Sequence, residues 1–216
     1  MKIKNIFSLL ISSLIICIIC SNYAQSQQTG FIQQAYSSIQ SKDYKKAVEL
    51  YTKAIENNKN YAAAFYGRGL AYFYIEAYTE AASDMNDALR IDPNYVEALY
   101  SLGLIFTKAA KFDEALNAFT RAIKMKQNYV EPYYGRAVAY HLTKNYEKAI
   151  ADYSAAIGLN SSYALSFYGR GAVNRILGRN DDAAKDLERY LDLNGNNDNL
   201  AAEVRRILKE INEDKN

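Results

Sequence analysis

The chain has 216 residues, half of them hydrophobic, and carries 26 basic against 24 acidic side chains. That length and apolar content suit one or two domains with a buried core, and the balanced charge lacks the basic excess of a nucleic-acid binder or a polybasic membrane contact. Ten glycines and two prolines are few breakers for such a length, which favours long helices over strands and turns.

In chain order, Lys2 and Lys4 give a positive start, and Ile6 to Cys20 is an apolar run whose only polar content is serine. The run is shorter than the roughly 20 residues of a spanning helix and has the form of a secretory signal peptide, with cleavage expected after Ala24. An exported chain, periplasmic or secreted, is therefore expected, with no membrane span after cleavage. The alternative is an envelope lipoprotein anchored at Cys20, although Ile19 stands where such signals want a small residue. Both cysteines, Cys17 and Cys20, fall in this segment, so the mature chain would have neither disulfide nor thiolate chemistry. Removing Lys2 and Lys4 brings the mature net charge to zero.

Beyond residue 27 the chain repeats itself every 34 residues. Ala47, Ala81, Ala115, Ala149 and Ala183 form one column, and Ala54, Ala88, Ala122 and Ala156 another. Between them runs a large apolar column of Tyr51, Met85, Phe119, Tyr153 and Leu187. Upstream lies a small one of Ala35, Gly69, Gly103, Ala137 and Gly171. Apolar residues at three- and four-residue steps predict helices near 30–40, 44–57, 62–75, 78–91, 96–108, 112–125, 130–142, 146–159, 164–176 and 180–193. A last helix near 198–213 carries Leu200, Val204, Leu208 and Ile211 on one side. It reads as the polar-faced cap that an open stack of repeats needs.

This 34-residue pattern resembles the tetratricopeptide repeat. The resemblance covers 28–61, 62–95, 96–129, 130–163 and 164–197, and Pro93 sits where that family often places its closing proline. It implies an all-α, right-handed superhelical solenoid of about five helix-turn-helix repeats plus a C-terminal capping helix, 198–216. The end repeats depart from the pattern. Ser38 and Asn174 stand at an aromatic column, Asn180 at another, Gln34 faces the core of the first helix, and Tyr190 replaces alanine.

Arg68, Arg136 and Arg170 recur with Asp84, Asp152 and Asp186 sixteen residues later, whereas repeat three has Leu102 with Ala118 and repeat one Gln34 with Leu50. Charges present together or absent together predict a partly buried ion pair within each hairpin, since a lone buried charge is costly. Shared descent of duplicated repeats accounts for part of the same pattern.

Catalysis has little to work with. His141 is the only histidine and has no orienting partner in sequence, no phosphate loop occurs, and the Gly67–Gly69 and Gly169–Gly171 pairs fall in mid-helix. No catalytic residue, metal or cofactor is expected. The Asn160-Ser161-Ser162 acceptor and the Asn194–Asn199 link carry no further function.

Recognition is the better prospect. In the tetratricopeptide family the first helices build the inner face. The resemblance implies a peptide-binding groove of Tyr36, Tyr66, Leu70, Phe73, Tyr100, Leu104, Tyr134, His141 and Tyr168, with Ile32, Ile39 and Tyr74 beside them. Gly67, Ser101 and Gly135 follow three of these tyrosines and are expected to leave room for a ligand beside each ring. A second column, Tyr61, Tyr95, Tyr129 and Tyr163, is expected to be structural at the repeat junctions. The Lys, Asn and Arg clamp with which some family members hold an acidic peptide is absent from these positions. The expected function is an exported scaffold that binds a protein or peptide partner, for instance in assembly of an envelope complex. The alternative is a structural subunit whose groove is permanently buried in an oligomer.

Overall fold

A computed structural model describes residues 29–194 and 199–213. The apolar N-terminal run, with Cys17, Cys20 and Ala24, lies outside them, as does most of the Asn194–Asn199 link. The described residues form helices and no strand: α1 over 29–40, α2 Tyr44–Asn57, α3 Ala62–Tyr74, α4 Tyr78–Ile91, α5 Val96–Lys108, α6 Phe112–Met125, α7 Val130–Leu142, α8 Tyr146–Leu159, α9 Ala164–Ile176, α10 Asn180–Asn194 and α11 Asn199–Glu213. Two compact units divide the chain, the first ending at Ala98 and the second beginning at Leu99.

Every hairpin turns in the same way. Lys42, Glu76, Ala110, Lys144 and Gly178, spaced 34 apart, all take positive φ. At each, two backbone bonds close the first helix. Lys144 N donates to His141 O at 2.9 Å and Asn145 N to Tyr140 O at 2.8 Å, and the other four turns repeat the pair. This is the Schellman cap, which usually recruits glycine because a Cβ is disfavoured at positive φ. Here only the last turn has one, so the two hydrogen bonds hold four L side chains in that region. Three of the turns between hairpins use a different device. Asn58, Asp92 and Asn160 each accept, on their side-chain oxygens, the backbone N–H two residues on.

Packing within a hairpin follows from the small columns. Ala47, Ala81, Ala115, Ala149 and Ala183 are fully buried. The large side chain of the second helix then wedges against backbone. An ideal Cβ on Gly135 would lie 2.6 Å from Phe119 Cε1, and one on Gly103 would meet the same ring. Phe119, which is completely buried, therefore belongs to two hairpins at once. Tyr51 stands against Gly67 and Tyr153 against Gly169 in the same manner. At these three places an aromatic ring is the joint between successive hairpins, and glycine one helix further on is its socket.

The three expected ion pairs form, each bidentate. Arg68 Nε and Nη2 donate to Asp84 at 2.8 Å each, Arg136 to Asp152 at 2.7 and 2.8 Å, and Arg170 to Asp186 at 2.8 and 2.7 Å. Their third donor reaches backwards, with Nη1 of each arginine bonding Thr52, Thr120 or Ser154 on the second helix of the preceding repeat. The arginine column therefore ties one hairpin to the one before it, which pairing by sequence had not suggested. The aspartate holds the Arg68 guanidinium charged, but burial pushes the Asp84 carboxyl up against the arginine's pull. The pair's net worth is accordingly smaller than its geometry implies. In repeat three, Leu102 and Ala118 fill the same places with 3% exposure each.

The ends differ as their sequences do. Ser38 is buried and donates to Gln34 O at 3.0 Å, while the Gln34 side chain is exposed rather than in the core. Helix α3 stops at Tyr74, with Ile75 as its cap. Helix α10 runs on to Asn194, whose Nδ2 donates to the Tyr190 hydroxyl at 2.8 Å. Tyr190 is fully buried with Val204 and Ile211 of α11, so a large ring fits because a single capping helix, not another hairpin, packs there. Ser166 Oγ is buried without a partner, in a column otherwise held by Ala64, Ala98 and Pro132.

Candidate functional site

In the first unit, α1 and α3 leave a groove of about 540 Å³ between them. Ile32, Tyr36, Ile39, Tyr66, Leu70 and Tyr95 line it, with the Tyr51 ring at its floor beside Gly67 and no charged side chain in its wall. Tyr36 is 59% exposed at its lip. Of the expected groove residues, this brings Tyr36, Tyr66 and Leu70 together. Phe73 lies outside it, its ring 5.9 Å from Tyr78 and 5.8 Å from Tyr74 near the hairpin turn. Tyr74 is half-exposed and stacks on Tyr44 at 4.7 Å and 13°.

In the second unit, Tyr100, Leu104, Tyr134, His141 and Tyr168 are all half-buried. Each tyrosine leans on a ring of the second helix: Tyr100 on Phe119 at 6.0 Å, Tyr134 on Tyr153 at 5.8 Å, and Tyr168 on Tyr190 at 5.6 Å. His141 meets Tyr146 at 6.1 Å, and burial holds its imidazole below the usual range.

One expectation changes. The space beside the rings at Gly67 and Gly135 is taken up by Tyr51 and Phe119 and offers no room for a ligand. The glycines are sockets for the protein's own side chains. The junction tyrosines, in turn, are not separate from the first-helix column. Tyr66 meets Tyr95 at 4.9 Å, Tyr100 meets Tyr129 at 5.6 Å, and Tyr134 meets Tyr163 at 5.4 Å. The separations are those of favourable aromatic pairs. One trace of this was present in the sequence: the two columns run together through repeats two to four, and each fails at an opposite end, at Ile32 and at Asn197.

These phenols are poor acids. Burial first, then Tyr134 and Glu131, pushes the Tyr163 hydroxyl up to about 12, and burial likewise raises Tyr95, Tyr100, Tyr134 and Tyr153. They stay protonated, presenting ring faces and neutral hydroxyls rather than charge or nucleophile. Among the described residues no cluster of His, Cys, Asp or Glu could hold a metal ion, and no helix is long and apolar enough to cross a membrane.

Comparison with known proteins agrees with this fold. The family model described as tetratricopeptide repeat matches residues 32–96, 100–164 and 148–198. No curated protein sequence matches the chain. Among solved structures, that of the MamA protein superposes with a TM-score of 0.69 at 21% identity, covering 80% of this chain and 94% of that one. YrrB, whose structure is titled a TPR protein with an unusual peptide-binding site, gives 0.65 at 23%, covering 82% and 90%. The pilF protein of Pseudomonas aeruginosa gives 0.74 at 13%, covering 87% and 90%. At these identities the likeness is one of fold.

Proposed function

We propose that this chain, which belongs to the tetratricopeptide repeat family, is a binding scaffold rather than an enzyme, and that it holds a partner polypeptide against its first-helix face. The observation that carries this reading is the groove between α1 and α3, which is walled mainly by tyrosine and aliphatic side chains, with Gln33 and Ser37 but no charge, and has Tyr36 standing largely in solvent at its lip. Rings that offer large area with a hydroxyl and little rotamer freedom suit such a surface. The peptide-binding site named for YrrB is in keeping with it.

The groove is tested with Tyr36→Ala, because truncating an exposed ring costs little folding energy. Partners co-purifying with the tagged mature protein are identified by mass spectrometry and their affinities measured. Tyr36→Ala is expected to weaken binding by about 2 kcal/mol, a typical hot-spot loss, with a nearly unchanged melting temperature. Full binding by the variant would move the partner elsewhere. Tyr100→Ala and Tyr134→Ala, whose rings are each flanked by two others, are expected to lower the melting temperature as well.

We infer further that the chain acts after export, in an envelope or extracellular compartment, where it contributes to assembly of a larger complex. The charged start, the short apolar run and Ala24 support this. The intact mass of protein from the exported fraction should correspond to a chain beginning at Gln25. A full-length mass, or a lipid-modified start at Cys20, would contradict that route.

A further inference from the structure

Among the described residues, two carboxylates stand beside the tyrosines with no lysine or arginine partner. Glu131 is half-buried in the first turn of α7, two residues after Tyr129 and three before Tyr134. Three residues along a helix place Glu131 and Tyr134 on one face, and Tyr134 in turn meets Tyr163 at 5.4 Å. The hydroxyls of Tyr100 and Tyr163, raised first by burial, are raised further by Glu131, so its charge reaches both. The first unit repeats the arrangement. Glu97 is half-buried two residues after Tyr95, Tyr95 meets Tyr66 at 4.9 Å, and the Tyr95 hydroxyl is raised by burial, then by Tyr66, then by Glu97.

Among the described residues, the ion pairs that form use other acids. Asp84, Asp87, Asp152, Asp186, Asp192, Glu147, Glu210 and Glu213 are all paired, whereas neither Glu97 nor Glu131 meets a lysine or arginine. A carboxylate in a first turn favours the helix dipole, yet α3 and α9 have none there. What distinguishes α5 and α7 is that the acid follows the second member of a tyrosine pair. A half-buried carboxylate beside phenol rings suits an ammonium or guanidinium, which gains from the charge and from the ring face together. The neighbouring ring of Tyr129 shows the same kind of contact within the chain, since Lys126 Nζ lies 5.1 Å over it.

We propose that Glu97 with Tyr66 and Tyr95, and Glu131 with Tyr134 and Tyr163, each receive a lysine or arginine side chain of the bound polypeptide. The partner segment is then basic as well as apolar. This rests on the first-helix face being the binding face.

The probes are two fluorescein-labelled peptides of equal length with the same leucine and tyrosine anchors, one carrying three lysines and the other three glutamates, titrated by anisotropy at low salt. The lysine peptide is expected to bind about fivefold tighter, the worth of two modest ion pairs. Glu97→Gln with Glu131→Gln should abolish that advantage without shifting the melting temperature, whereas a helix-dipole role would shift the melt and leave the advantage intact. Equal affinities, or a preference that survives the double substitution, overturn the proposal. Tyr36→Ala keeps the two readings apart. If it weakens both peptides while no charge preference exists, the groove stands and the basic partner falls. If it weakens neither, the groove reading falls. Absence of binding by either peptide to the unaltered protein overturns both.

Discussion

Arg136→Leu is expected to lower the free energy of unfolding by about 3 kcal/mol, and Arg136→Leu combined with Asp152→Ala by distinctly less. The single change strands Asp152, a 7% exposed carboxylate whose two oxygens both accept from that arginine. It also removes the Nη1 bond to Thr120 on the preceding repeat. The double change loses the same tie but removes the buried charge, and it recreates the pair that repeat three already uses, Leu102 with Ala118. Urea melts of the three proteins decide the matter. A double variant no more stable than the single one would mean that the carboxylate is not the costly element, and the coordinated change along the chain would then be descent alone.

Phe119→Ala should destabilise by about 4 kcal/mol, among the larger losses that a single core truncation produces. The ring is completely buried and lies against backbone on both sides, at Gly103 and Gly135, so neither helix can collapse into the hole without carrying its hairpin along. Two interfaces loosen together. Gly135→Ala attacks the same joint from the other side, because its Cβ would stand 2.6 Å from the ring. Both should lower the urea midpoint, and Phe119→Leu, which keeps most of the volume, should lie between Phe119→Ala and the unaltered protein. A loss below about 2 kcal/mol for Phe119→Ala would show that the ring is not the joint.

Helix positions were legible because five copies of one pattern average out local ambiguity: α2 and α4 to α9 begin and end where the apolar period places them. The ion pairs were legible because Leu102 and Ala118 supplied a natural double substitution. The positive-φ turns were not, since Lys42, Glu76, Ala110 and Lys144 carry no mark of their backbone state, and only Gly178 does. The binding face was half legible. Tyr36, Tyr66 and Leu70 converge as the family pattern implies, but a glycine beside a tyrosine reads equally as open space or as a filled socket. Which it is depends on where the ring sixteen residues earlier points, and that direction is set by packing between helices rather than by any local spacing.

The shared ring also governs how a chain of this kind can change its length. Three hairpins are not finished by their own residues, because Tyr51, Phe119 and Tyr153 each end in a glycine socket of the next one. The sockets are nevertheless alike. Cutting out residues 130–163 as a block would bring Phe119 to Gly169 in place of Gly135, and would carry the chain from Tyr129 directly into Ala164, the same step it now makes from Tyr163. A gene for such a protein can lose this block of 34 codons and keep each ring matched to a glycine. A gain or loss out of step with the 34-residue period would move the rings off their glycines, so duplication and deletion are filtered by side-chain fit before function is ever tried.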